Sequence, residues 1–323
     1  MRAIIVHETG GPEVLCWEER PDPTPGPGEV TIDVTVSGIN FADIQRRRGG
    51  YRGSPPPFVL GLDCVGTIRA LGAGVTDFRI GQRVAAFPED GGYTEIARAK
   101  TVLTYPIPDA VSDEAASAST MLVTAYNLLT MTTRLQRGES VAISAAAGGV
   151  GTIAIQMAKH LGATTVVAVA GGPDKLKIAR NAGADVVIDH RSEDVAARIK
   201  EALSGAGVDV VLDSVAGDMF TALFSALAPF GRYAVYGMAS GEPGRAASNE
   251  LHMSNRAVLG YSTGGYRAAR PEPLRPGMMA AFDLVASGAV KVVVGARYAM
   301  RDAADAQRHV ESRDSYGKVL LVP

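Results

Sequence analysis

The chain has 323 residues, 46% of them hydrophobic and 20% charged, a composition that belongs to ordinary folded proteins and a length that suits two domains better than one small core. Its formal net charge of -2 leaves no basic surplus to release counterions from nucleic acid or to hold an anionic membrane. No stretch approaches eighteen apolar residues, residues 1–6 alternate like a strand and not like a cleaved leader, and the two distant cysteines, Cys16 and Cys64, fit a reducing compartment; the expectation is a cytoplasmic protein in which both cysteines are small buried hydrophobes.

In residues 30–36 the alternation is strict, with Val30, Ile32, Val34 and Val36 on one side and Thr31, Asp33 and Thr35 on the other, which predicts a half-buried strand. The prolines and glycines of residues 21–28 make a turn-rich connection before it. Further short strands are expected near residues 64–70, 83–87 and 93–97, divided by turns at Gly72, Gly74, Gly81 and Gly91, so the first third reads as a mostly β unit. From about Met121 short apolar runs alternate with helical periods. Strands are expected at 141–144, 164–170, 186–188, 208–212 and 233–236, and helices at 150–161, 173–183, through Val195, Ile199 and Leu203, and at 218–227. Strand, helix, strand repeated in this way predicts a parallel, doubly wound sheet, hence an α/β protein. After Tyr261 comes a looser segment containing Pro271, Pro273 and Pro276, then a final helix at 278–287 and a last strand at 318–322 that returns to the first unit.

The most informative segment is residues 141–151, a strand that runs into Ala145-Ala-Ala-Gly-Gly-Val-Gly151 and then a helix. Ala146, Gly148 and Gly151 fall at the spacing of a dinucleotide-binding turn, in which the backbone approaches a pyrophosphate at Gly148, helix and strand pack closely at Gly151, and the N–H groups of the helix start face negative charge. Candidate cofactor-binding residues are therefore Ala147, Gly148, Gly149, Val150 and Gly151. At the end of the next strand, where an NAD enzyme carries an acid for the ribose 2'-hydroxyl, the chain has Ala170-Gly171-Gly172-Pro173-Asp174-Lys175. Lys175 can reach a 2'-phosphate, and His190 and Arg191 can add donors or stack on adenine, which favours NADP. The competing reading has Lys175 solvated and Asp174 serving the hydroxyl.

Taken together, Ser37-Gly-Ile-Asn-Phe-Ala-Asp43, Leu60-Gly-Leu-Asp63, Gly91-Gly-Tyr-Thr-Glu95, Thr124-Ala-Tyr126, the alanine-glycine bend, Asp213-Ser-Val-Ala-Gly217 and Gly317-Lys-Val-Leu320 resemble the medium-chain reductases of the quinone oxidoreductase branch, relatives of zeta-crystallin. The resemblance implies a GroES-like catalytic domain (residues 1–122 and 263–323) interrupted by a Rossmann NADP-binding domain (residues 123–262), a site in the cleft between them, and a homodimer. It further implies that Asn40 donates to an acceptor oxygen, that Tyr51 bonds or stacks on the acceptor, that Thr124 lies near the nicotinamide, and that Gly171, Gly172, Gly237 and Tyr261 join the NADPH site. Where relatives often have a tyrosine, this chain has Gln45.

Alcohol dehydrogenases of the same superfamily hold catalytic zinc through a Cys near position 39 or 40 and a His–Glu pair further on. Here those places read Asn40 and Leu62-Asp63, and the five histidines (His7, His160, His190, His252, His309) are scattered, so no zinc ligand set has suitable spacing. Without a Lewis acid, a conjugated acceptor that delocalises its own incoming charge is expected: a quinone or an α,β-unsaturated carbonyl. Arg46, Arg47, Arg48 and Arg52 read as a solvated charge run, with a basic rim for an acidic acceptor as the sharper alternative. That rim would suit an enoyl-thioester reductase; a non-catalytic NADPH-binding accessory is the remaining alternative.

Overall fold

The computed structural model describes residues 1–50 and 55–323; Tyr51 and Arg52 lie outside the described residues. Two compact units are built from the chain, one from residues 1–120, 266–286 and 292–323, the other from residues 121–265 and 287–291.

In the first unit a seven-stranded sheet runs in the order Val294–Ala299, Lys318–Val322, Glu29–Ile39, Cys64–Leu71, Arg83–Ala86 and Thr104–Pro106, with Ile96–Lys100 also pairing on Glu29–Ile39. A smaller sheet pairs Leu15–Glu19, Arg2–Val6 and Phe58–Val59. The alternation in residues 30–36 holds for one face: Val30, Ile32, Val34 and Val36 are buried, the first three packing with Ile4, Val6, Ile68, Val84, Val319 and Leu321 into one core, whereas on the other face Thr35 is exposed, Asp33 half-buried and Thr31 buried where Ile96–Lys100 pairs alongside. The strand expected at 93–97 begins later, at Ile96, because Tyr93 is held in a turn by its N–H bond to Leu60 O. Cys64 is buried, whereas Cys16 is half-buried, so only one cysteine behaves as a core hydrophobe.

The end of the chain is more regular than its prolines suggested. Helices occupy Thr263–Ala269 and Leu274–Ala286, and Pro276 is tolerated because it sits in the first turn of the second, where a missing N–H has no intrahelical acceptor to lose. The helix expected at 278–287 is not the last one: Ala303–Glu311 follows, burying Ala303, Ala306 and Gln307.

The second unit is an all-parallel six-stranded sheet in the order Val186–Asp189, Thr165–Ala170, Ser140–Ile143, Val208–Asp213, Leu227–Val235 and Ala257–Gly260. Starting from the central strand Ser140–Ile143 the chain winds outward one way and then the other, the Rossmann order. Val166, Val167, Ala168 and Val169 are fully buried, as a strand covered on both faces requires, each valine being worth about 1.5–3 kcal/mol of burial. Helices Gly149–His160, Pro173–Asn181, Val195–Ala202 and Asp218–Ser225 make the crossovers. No helix among the described residues is long and apolar enough to cross a membrane.

Candidate active site

In a doubly wound sheet ligands gather at the carboxyl ends of the strands, where the order reverses. Leaving Ser140–Ile143, the backbone turns through Ala145 in the left-handed region (φ 48°), and Gly148 N–H closes the turn on Ala145 O at 2.9 Å. A Cβ on Gly151 would stand 2.6 Å from Ala145 O and from Ala146 Cα and O, all backbone, so only glycine lets the helix start this close to the strand. Ala147, Gly148, Gly149, Val150 and Gly151 thereby present the first helical turn, whose N–H groups have no intrahelical acceptors, at the sheet's carboxyl edge.

The next strand ends in Gly171 and Gly172, the latter at φ 88°, before Pro173 opens its helix. A Cβ on Gly171 would come within 2.7 Å of Arg191 Nε and 2.8 Å of His190 Nε2, so both basic side chains close over this turn. Lys175 is half-buried one turn into the helix. The neighbouring strand contributes Asp189, whose Oδ1 accepts the N–H groups of Arg191 (3.0 Å) and Gly172 (3.1 Å); these bonds hold its carboxyl below the usual range and fix one loop to the other. Sequence reasoning had no signal for Asp189, whose partners are set by strand pairing.

Further along the same edge, Asp213 is fully buried and accepts four bonds: Ser144 Oγ at 2.6 Å and Val215 N–H at 2.8 Å on Oδ1, and Ala216 N–H at 3.0 Å and Tyr233 OH at 2.8 Å on Oδ2. One carboxylate thus ties the residue before the glycine bend to the 213–217 turn, which contains left-handed Ala216 and Gly217. Burial and the Asp213 charge push the Tyr233 hydroxyl far above its ordinary range, so it stays a donor. Gly237 passes within 2.9 Å of Ser214 O, measured from the place of its absent Cβ, and Tyr261 N–H bonds to Val235 O. Thr124, on the helix Ser119–Asn127, is joined through Thr263 to Tyr261. The second unit therefore brings the sequence-derived residues Ala147 to Gly151, Gly171, Gly172, Lys175, His190, Gly237, Tyr261 and Thr124 to one end of one sheet or to residues bonded to it.

In the first unit Asn40 precedes the helix Phe41–Arg47, and Asp43 caps it by accepting Asn40 N–H at 2.8 Å. The Asn40 side chain faces inward: Nδ2 donates to Gly38 O at 3.2 Å and Asp63 Oδ1 at 3.1 Å, and Oδ1 accepts from Lys318 Nζ at 2.9 Å. The expected donation from Asn40 to an acceptor oxygen has no free hydrogen to make it, because both are already given away. Lys318, fully buried, also stands 3.7 Å from Asp63 Oδ2, which accepts Thr120 N–H at 3.1 Å. Gly38 makes the space: a Cβ there would fall 1.9 Å from Lys318 Cε. Burial pushes the Lys318 ammonium downward and raises Asp43 from 3.8 to about 6, with the Asp63 charge adding to the rise. Tyr93 OH donates to Asp43 Oδ2 at 2.9 Å and is pushed up by burial and by that carboxylate, while burial and Asp63 raise the Cys64 thiol out of nucleophilic range. A cation already stands between the amide and carboxylate that occupy the zinc-ligand positions, no thiolate or imidazole joins them, and among the described residues no group of three or more His, Cys, Asp or Glu converges on a metal site.

The arginine run is only partly a solvated face: Arg48 is exposed, Arg46 is half-buried and Arg52 lies outside the described residues. Arg47 is fully buried, donating to Gly10 O, Gln307 Oε1 and Glu311; Arg48 pairs with Glu311 at 2.8 Å; and the Arg46 guanidinium lies 4.2 Å over the Phe58 ring.

These features have counterparts in known proteins. The family described as alcohol dehydrogenase GroES-like domain matches residues 26–132, and the one described as zinc-binding dehydrogenase matches residues 149–275. The chain is 33% identical to a 2-haloacrylate reductase of a Burkholderia species, covering 99% of this chain and 98% of that one, and 34% identical to a quinone oxidoreductase of Pseudomonas aeruginosa, covering 97% of each. The Escherichia coli quinone oxidoreductase solved with NADPH superposes with a TM-score of 0.94 at 34% identity over the full length of both chains. With its GroES-like and Rossmann parts, its alanine-glycine bend and full-length identity to such enzymes, the chain belongs to the quinone oxidoreductase family of medium-chain dehydrogenases and reductases.

Proposed function

We propose that the protein is an NADPH-dependent reductase that delivers hydride to a quinone or to the β-carbon of an α,β-unsaturated carbonyl, without zinc. The carrying observation is the carboxyl edge of the second unit, where a glycine-rich helix start adjoins a turn closed by His190 and Arg191 near Lys175. Such an edge fits a pyrophosphate beside a 2'-phosphate. NADPH binding by a 34% identical relative, and the quinone and haloacrylate acceptors in the names of others, support the assignment.

NADPH, when bound, supplies the hydride. Ala147 to Gly151 hold its pyrophosphate, Lys175, His190 and Arg191 hold the 2'-phosphate, and Gly237 and Tyr261 line the path of the nicotinamide half. Charge that collects on the acceptor oxygen is met by the Tyr51 hydroxyl, which returns a proton from Oη; Asn40 serves by holding Lys318 and Asp63 in place. Zinc is assigned no part because Lys318 already satisfies Asn40 and Asp63. The protein works as a homodimer, for which the outer strand Ala257–Gly260, with exposed Val258, offers an open sheet edge, and in a reducing compartment, where Cys16 and Cys64 remain thiols. The enoyl-thioester alternative draws less support from residues 46–48, since Arg47 is buried, Arg46 lies over the Phe58 ring and the exposed Arg48 is paired with Glu311.

NADPH consumption by the purified protein is to be followed with a benzoquinone, a cyclic enone and crotonyl-CoA. Turnover with either of the first two and little with the thioester is expected; silence on both, or equal use of NADH, overturns the proposal.

A further inference from the structure

Thr124, Thr263, Tyr261 and Asn127 form a buried polar cluster within the second unit, none of them more than 8% exposed. Thr124 Oγ1 and Thr263 Oγ1 are 2.7 Å apart, Thr263 Oγ1 is 3.3 Å from Tyr261 Oη, and Asn127 Nδ2 donates to Tyr261 Oη at 3.2 Å. Buried hydroxyls cost stability unless paired, and valine would fill either threonine's place without that cost, so the pairing calls for an explanation beyond packing.

Position supplies one. The glycine bend follows the central strand Ser140–Ile143, and the basic turn lies on the side of Thr165–Ala170 and Val186–Asp189. A dinucleotide with its pyrophosphate at the bend and its 2'-phosphate at that turn must extend its other half over the ends of Val208–Asp213, Leu227–Val235 and Ala257–Gly260. Tyr261 stands there, its N–H on Val235 O. The one polar handle on a nicotinamide ring is its carboxamide; because Thr263 Oγ1 donates to Tyr261 Oη it takes the Thr124 proton, which leaves the Thr124 oxygen as an acceptor for the carboxamide N–H.

We infer that Thr263 is a positioning residue that aims the Thr124 hydroxyl at the nicotinamide carboxamide. Tyr261 and Asn127 fix Thr263, and Thr263 fixes the rotor of Thr124. Without that partner a helix threonine turns to bond a carbonyl of its own preceding turn and ceases to face a ligand. The inference rests on the proposed NADPH site, not on the identity of the acceptor.

The test compares NADPH with 2'-phospho-ADP-ribose, which lacks the nicotinamide, by direct binding to wild type, Thr263→Val, Thr263→Ser and Thr124→Val. Thr263→Val and Thr124→Val are each expected to weaken NADPH about tenfold, the scale of one hydrogen bond, while leaving 2'-phospho-ADP-ribose unchanged, and Thr263→Ser should restore wild-type affinity. The double variant should be no weaker than either single one. Equal weakening of both ligands by Thr263→Val, no weakening of either, or a serine variant as impaired as the valine one overturns the inference. Failure of the acceptor assignment is read separately, as wild type that binds NADPH but reduces neither quinone nor enone.

Discussion

Asp43 offers a sharp test of the buried charge cluster in the first unit. Its carboxyl is wholly buried; Oδ2 accepts Asn40 N–H and Tyr93 OH, Oδ1 has no donor, and a second carboxylate, Asp63, adds repulsion that Lys318 only partly offsets. Together these raise it from 3.8 to about 6. Because the folded protein holds this proton more tightly than the unfolded chain, the contribution to stability is complete below pH 3.8 and is lost as pH rises through about 6. The loss amounts to about 3 kcal/mol. Asp43→Asn replaces the carboxyl with a neutral group of the same shape, so the two proteins should melt close together at pH 4, with the variant the more stable by about 3 kcal/mol at pH 8. At roughly 2–4 °C per kcal/mol for a unit of this size, the difference in melting temperature should open by about 6–12 °C. Thermal unfolding of both proteins by circular dichroism across pH 4 to 8 reads this directly. Parallel pH profiles would show that Asp43 is not the titrating group and that the placement of charge in this cluster is wrong.

Gly151→Ala puts a methyl against backbone at 2.6 Å and should lower NADPH affinity at least tenfold, measured by fluorescence titration, with the glycine bend forced away from its helix. Lys175→Ala and Arg191→Ala should each cut the preference for NADPH over NADH about tenfold, in ratios of kcat/KM, by removing charge from the 2'-phosphate. Lys318→Met leaves Asp63 buried beside Asn40 without its cation, so it should cost about 3–5 kcal/mol of stability in denaturant unfolding. Size-exclusion chromatography should give a dimer, and a charged residue placed at Val258 should shift it toward monomer.

Five strands of the second unit's sheet were readable in the sequence because strands covered on both faces are almost uniformly apolar, and the glycine bend because backbone contact admits no other residue; the outer strand Ala257–Gly260, alternately half-buried and exposed, was not. The first unit gave up less. The helix Ala303–Glu311 buries Ala303, Ala306 and Gln307, small or polar residues in place of the long apolar side chains that mark a core helix, although its two faces are well separated. That omission hid the partners of Arg47, since Gln307 and Glu311 both lie on this helix, and a buried guanidinium consequently looked like a solvated one. The cluster of Asn40, Asp43, Asp63 and Lys318 joins residues up to 278 positions apart, and only strand pairing brings Leu320 opposite Gly38 and Lys318 beneath it. Thr263 escaped for the same reason: its meaning depends on a hydroxyl 139 positions earlier.

The place of Lys318–Val322 inside its sheet, between Val294–Ala299 and Glu29–Ile39, has a consequence for how the protein is made. On the ribosome every strand of the second unit has emerged once residue 260 is free, whereas the first unit's sheet has a gap in its interior until residues 318–322 appear. The early β segment must wait through the synthesis of the whole parallel domain with an open edge and an apolar face in water, which makes that interval the stage at which a chaperone has most to protect.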